Sequence, residues 1–138
     1  MKGKTIAQLS VGDFSEFAKT VSESDVYLYA GLSGDTNPAH INEQYASGTF
    51  FKTRIAHGML SAGFISAAMG TGLPGPGTIY LGQELKFLAP VMIGDTITAR
   101  VEVQELIPEK NRAVLRTTCT NQDGTLVIDG LAKVMPPK

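Results

Sequence analysis

The chain has 138 residues, 43% hydrophobic and 18% charged, with a formal net charge of −1. That is one domain's length, enough to bury roughly two thirds of the surface an unfolded chain exposes, so a core needs no staples. The near-neutral balance gives no electrostatic case for nucleic acid or an anionic membrane as partner, and the one cysteine, Cys119, excludes a disulfide within the chain and suits a reducing cytoplasm.

The first residues, Met1-Lys2-Gly3-Lys4-Thr5, lead into no long apolar run, so no secretory signal is expected. No repeat, low-complexity tract or linker divides the chain, and a single domain over residues 1–138 is expected. The Gly/Pro cluster at residues 70–77 separates two unlike halves.

Residues 13–19 can supply an edge strand. Ser22-Glu23-Ser24-Asp25 then predicts a helix start, with Ser22 as N-cap, Asp25 at N3, and Val21 and Val26 placed as a hydrophobic staple. This helix runs to about Leu32 and stops before Ser33-Gly34. A second short helix begins with Asn37 as N-cap and Pro38 at N1, where proline costs least. It is expected to end near Ser47-Gly48. A third starts at His57-Gly58 and ends at Gly70. Met59, Leu60, Ala62, Phe64, Ile65, Ala67, Ala68 and Met69 leave it almost no polar face, which predicts a helix surrounded by protein. It is too short for a membrane span of about 20 residues.

The second half reads as strands. Residues 78–88 form one, broken by Ala89-Pro90. Ile97, Ala99, Val101 and Val103 alternate with Thr98, Arg100, Glu102 and Gln104, the period of a half-buried strand. Asn121-Gln122-Asp123-Gly124 is a hairpin signal joining residues 113–120 to 126–135. An apolar helix and several long antiparallel strands predict an α+β arrangement in which the sheet curls around the helix.

The chain has only two histidines, His40 and His57, so acid/base work near neutral pH falls to one of them or to a buried carboxylate. On a continuous helix Asp35 and His40 would stand about 140° apart. Pro38 disfavours the helical conformation at Asn37, so the chain turns there and can fold the Asp35 carboxylate back towards the imidazole. His40 falls at N3, where the positive helix end disfavours imidazolium and leaves the ring able to accept a proton. A water between the two could be deprotonated and a proton returned. Asp, Asn and Pro are also ordinary turn residues, and spacing alone leaves open whether Asp35 only caps. No His-x-His or Cys-x-x-Cys spacing suggests a metal site.

Gly58 opens the apolar helix, where backbone N–H groups lack intrahelical partners. Without a side chain it lets a ligand carbonyl reach that N–H and stabilises an oxyanion there; relief of crowding against the sheet explains the glycine equally well. His57 reads as a capping or substrate-shaping group. Ser66 reads on its own as a small packing residue. Lys52, Arg54, Lys86 and Arg100 are scattered basic residues of which one or two could meet ligand phosphates.

Asp35-x-Asn37-Pro38-x-His40, followed by Ala56-His57-Gly58-Met59-Leu60, resembles the hydratase 2 motif of the MaoC-like family. Residues 77–87 and Pro90-Val91-Met92-Ile93-Gly94-Asp95 resemble the bacterial (R)-specific enoyl-CoA hydratases. The resemblance implies a hot-dog fold and a homodimer, with higher homo-oligomers open, whose sheets join into one. It implies syn addition of water to a trans-2-enoyl-CoA thioester, without a cofactor. Asp35 and His40 would hold and activate the water, Gly58 would donate its amide to the thioester oxygen, Ser66 would help position the aspartate, and Asn37 would order the loop. Ser61 and Gly63 depart from the family pattern, and Met69 with residues 73–77 would shape the acyl pocket. A hot-dog thioesterase and a non-catalytic acyl-CoA-binding subunit are the competing readings.

Overall fold

A computed structural model describes residues 1–138. Strand β1 (Phe14–Thr20) is followed by α1 (Glu23–Ser33), α2 (Pro38–Ile41), α3 (Glu43–Ser47) and α4 (Gly58–Ala67), and then by β2 (Ile79–Phe87), β3 (Thr96–Ile107), β4 (Arg112–Thr120) and β5 (Leu126–Met135). The five strands form one antiparallel sheet in the order β1-β3-β4-β5-β2. Representative partners are Phe17 with Ala99, Val101 with Thr117, Leu115 with Ala132, and Leu85 with Gly130. Gly130 is a glycine for a reason of contact: a Cβ there would lie 2.0 Å from the Glu84 carbonyl oxygen.

The sheet's inner face carries the alternation read from the sequence. Ile97, Ala99, Val101 and Val103 are buried from β3, Ala113, Leu115 and Cys119 from β4, and Ile128, Ala132 and Val134 from β5. Helix α4 lies against β1, β3 and β4 and contributes Phe64 and Ile65 to the same core. Phe64 packs on Phe17 with ring centroids 5.6 Å apart. The Cys119 thiol, 3.6 Å from the Ser61 carbonyl oxygen, ties sheet to helix. Burial pushes that thiol up to about 12, so the cysteine is a packing residue.

Local capping follows the residue pattern. Ser22 Oγ accepts from the Asp25 N–H at 3.0 Å and Asp25 Oδ2 accepts from the Ser22 N–H at 3.0 Å, closing the capping box. Gly34 ends α1 in the left-handed region at φ 80°. Three expectations change. The second helix is two: Asn42 leaves helical geometry at φ −125° and caps α3 through Oδ1, which accepts from the Tyr45 N–H at 3.0 Å. The third keeps α geometry only to Ala67 and continues as a wider π turn over Ala68–Gly72. Nor is α4 enclosed on all sides, because one sheet covers one face: Ser61, Phe64 and Ile65 are buried, while Met59 is 54% exposed and Gly63 and Ser66 are open.

Candidate active site

Residues 34–37 leave α1 and turn into α2. Asp35 Oδ1 accepts from the Asn37 N–H at 3.2 Å, and Asn37 Oδ1 accepts from the Ala39 N–H at 3.1 Å. Each short side chain thus satisfies a main-chain donor two residues on, which sets the turn before Pro38 begins the helix. His40 follows at the third helical position. Its Nδ1 lies 2.7 Å from the Ile55 carbonyl oxygen; a carbonyl only accepts, so Nδ1 carries a hydrogen, and in the neutral ring Nε2 is the nitrogen that holds the lone pair. Helix α2 has only four residues. The Ile55 carbonyl, rather than a helix dipole, is therefore what fixes the imidazole.

Asp35, His40 and His57 come together, with ligand atoms from the three side chains within 4.8 Å of one another. Asp35 is exposed, His40 half-buried and His57 buried. The two imidazoles stack with centroids 3.8 Å apart and planes at 30°. His57 Nε2 lies 2.9 Å from the Asp35 carbonyl oxygen. Three potential metal donors thus converge where linear spacing shows no metal motif. Two of their four ring nitrogens are already hydrogen-bonded to main-chain carbonyls.

Gly58 begins α4 beside this cluster, and the N-cap His57 makes no side-chain cap bond, so the first helical N–H groups have no side-chain acceptor. A Cβ at Gly58 would lie 2.6 Å from Phe87 Cε1, so relief of crowding against β2 applies at this glycine. Gly58 borders an apolar cavity of about 490 Å³, with Phe51, Ile55, Phe87 and Leu88 among its walls. Ser66 is not drawn into the Asp35 cluster within the chain. It lies exposed two turns further along α4, in a second cavity of about 510 Å³ with Met59, Gly63 and Tyr80. Met69 is buried.

Two of the scattered basic residues are already paired. Arg54 meets Glu43 at 2.9 Å and Glu23 at 3.0 Å, and Arg100 meets Glu16 at 3.0 Å. Lys52 and Lys86 form no ion pair within the chain. Sequence reading missed the Ile55 carbonyl and the Tyr29 ring, whose centroid lies 4.7 Å from that of His57. A main-chain carbonyl has no residue signature, and Tyr29 reads simply as a helix position.

An antiparallel sheet packed on a helix, with a carboxylate and an imidazole converging beside that helix's N-terminus, defines a hot-dog protein. The chain belongs to the MaoC-like family: the family model described as MaoC like domain matches residues 11–124. It is 66% identical over 126 residues to the (R)-specific enoyl-CoA hydratase of Rhodospirillum rubrum, covering 91% of this chain and 87% of that one. Among solved structures, the unliganded R-hydratase PhaJ1 of Pseudomonas aeruginosa superposes with a TM-score of 0.94 at 49% identity, covering 99% of this chain and 87% of that one. The (R)-hydratase of Aeromonas caviae, described as involved in PHA biosynthesis, gives a TM-score of 0.91 at 43% identity, covering 94% and 98%.

Proposed function

We propose that the protein is an (R)-specific enoyl-CoA hydratase, a hydro-lyase that reversibly adds water to trans-2-enoyl-CoA to give (R)-3-hydroxyacyl-CoA. The observation that carries the reading is the convergence of the Asp35 carboxylate and the free Nε2 side of His40 beside the first turn of α4. A water held between them loses one proton to the pair, and its oxygen bonds to C3 of the enoyl thioester. Electron density moves to the thioester oxygen, where the Gly58 N–H stabilises the enolate. C2 then takes a proton from the pair on the same face, so water is added syn. The two groups are coupled, and base and acid duties belong to the pair.

The acting unit is one MaoC-like domain spanning residues 1–138, assembled as a homodimer in the cytoplasm. The dimer is supported by the free edge of β2 and by the exposed apolar residues Met59, Ile79, Tyr80 and Leu81 beside it. The cytoplasmic setting is supported by the unpaired, buried Cys119. No helix is long and apolar enough to cross a membrane.

Incubation with crotonyl-CoA tests the reading. Loss of enoyl absorbance without free thiol, with the (R) product on chiral analysis, is expected. Release of free CoA instead means hydrolysis, the thioesterase reading. No change with any acyl chain length removes both enzymes.

A further inference from the structure

His57 is the most enclosed member of the cluster, 2% exposed. Its Nε2, 2.9 Å from the Asp35 carbonyl oxygen, must carry the hydrogen of that bond. Its Nδ1 is buried with no partner, a costly arrangement that an apolar side chain would avoid. What an apolar side chain would lose is the Nε2 donor.

That donor has a defined task. The other hydrogen bonds of residues 34–37 are local. Gly34 N–H donates to the Ala30 carbonyl, Asp35 N–H to Ser33 Oγ, Thr36 N–H to the Gly34 carbonyl and Asn37 N–H to Asp35 Oδ1. Only the bond from His57 crosses a long stretch of sequence, 22 residues, to anchor the turn that carries the carboxylate. The same ring lies against His40 at 3.8 Å and is backed by Tyr29 at 4.7 Å.

We infer that His57 is the positioning residue of the acid/base pair: its Nε2–H pins the main chain of Asp35 while its ring face sets the plane of His40. This rests on the hydratase reading of Asp35 and His40. One rigid group at the start of α4 thereby registers both partners against Gly58, the next residue. Small displacements of reacting groups cost up to about 10²-fold in rate.

The test compares H57F, which keeps an aromatic face but has no donor, with H57Q, whose amide N–H can stand where Nε2 stood. On crotonyl-CoA, H57F is expected to lower kcat by roughly 10- to 100-fold with little change in KM, and H57Q to recover most of the loss. Full kcat in H57F, or H57Q no faster than H57F, overturns the proposal. A raised KM at unchanged kcat also overturns it, because His57 would then act on substrate binding. Thermal unfolding of each variant separates lost alignment from lost fold. Should H57F fail to fold, ¹⁵N-histidine NMR of the unaltered protein decides. The Nε2–H tautomer at His57 and the Nδ1–H tautomer at His40 are expected, and an Nδ1–H tautomer at His57 overturns the proposal. This readout needs no turnover, so it stays informative if the hydratase reading fails.

Discussion

At the scale of single residues, Asp35 and His40 matter through what holds them. The Asp35 carboxylate accepts from the Asn37 N–H, and His40 is oriented by Ile55. Replacing either proposed catalytic group leaves the surrounding main chain in place. Asp35→Asn and His40→Ala are therefore each expected to fold, and to lower kcat on crotonyl-CoA by a factor on the order of 10² or more. Steady-state kinetics with chiral product analysis checks this, and full rate in either variant would remove that residue from the mechanism. The pattern Asp-x-Asn-Pro-x-His was visible from the start, and so was the turn at Asn37. That the turn closes the gap was not, since a turn can equally point the carboxylate to solvent. The long-range bonds at the site are those of His40 to the Ile55 carbonyl and of His57 to the Asp35 carbonyl, across 15 and 22 residues.

At the scale of elements, α1 leads into the turn that carries Asp35, and its first turn carries the clearest electrostatic signature. Lys19 Nζ, 2.6 Å from Asp25 Oδ2, is the main cause holding the Asp25 carboxyl below the ordinary aspartate range, with the Ser22 N–H next. A carboxyl lowered on folding stabilises the native state above its unfolded value of about 3.9, and that contribution is lost as pH falls through the lower folded value. Asp25→Ala is expected to cost about 1 kcal/mol at neutral pH, the scale of a lost helix cap, and to show less acid dependence than the parent. Urea unfolding between neutral pH and about pH 3 measures both. This capping box is local, its partners three residues apart, and so was legible in sequence. The break at Asn42 was less so, because asparagine caps helices and also occurs within them.

At the scale of the whole molecule, α4 is an apolar helix covered on one face only. Met59, Gly63 and Ser66 lie open beside β2, whose outer edge is unpaired. An exposed apolar stripe next to a free strand edge is unstable in isolation and suited to pairing. The protein is expected to sediment as twice its 14.7 kDa chain mass. Leu81→Asp, on the exposed part of β2, is expected to shift it towards monomer and to reduce hydration. Analytical ultracentrifugation and the crotonyl-CoA assay follow the two effects, and an unaltered dimer would place the interface elsewhere. A dimer would also supply a second chain near Ser66, which a single chain keeps apart from Asp35.

Sequence by itself determined most of the elements, the α+β class and the identity of the acid/base candidates, because capping and alternation act between residues a few positions apart. The resemblance of three ordered motifs supplied the expected chemistry. Tertiary structure alone decided that Asp35, His40 and His57 meet, which nitrogen of each imidazole is free, and which face of α4 is left uncovered. Those outcomes depend on carbonyls and ring faces brought together by folding, and residue type at a given position does not encode them. Folding places the Asp35 and His40 side chains of the Asp-x-Asn-Pro-x-His segment together, with His57 against them.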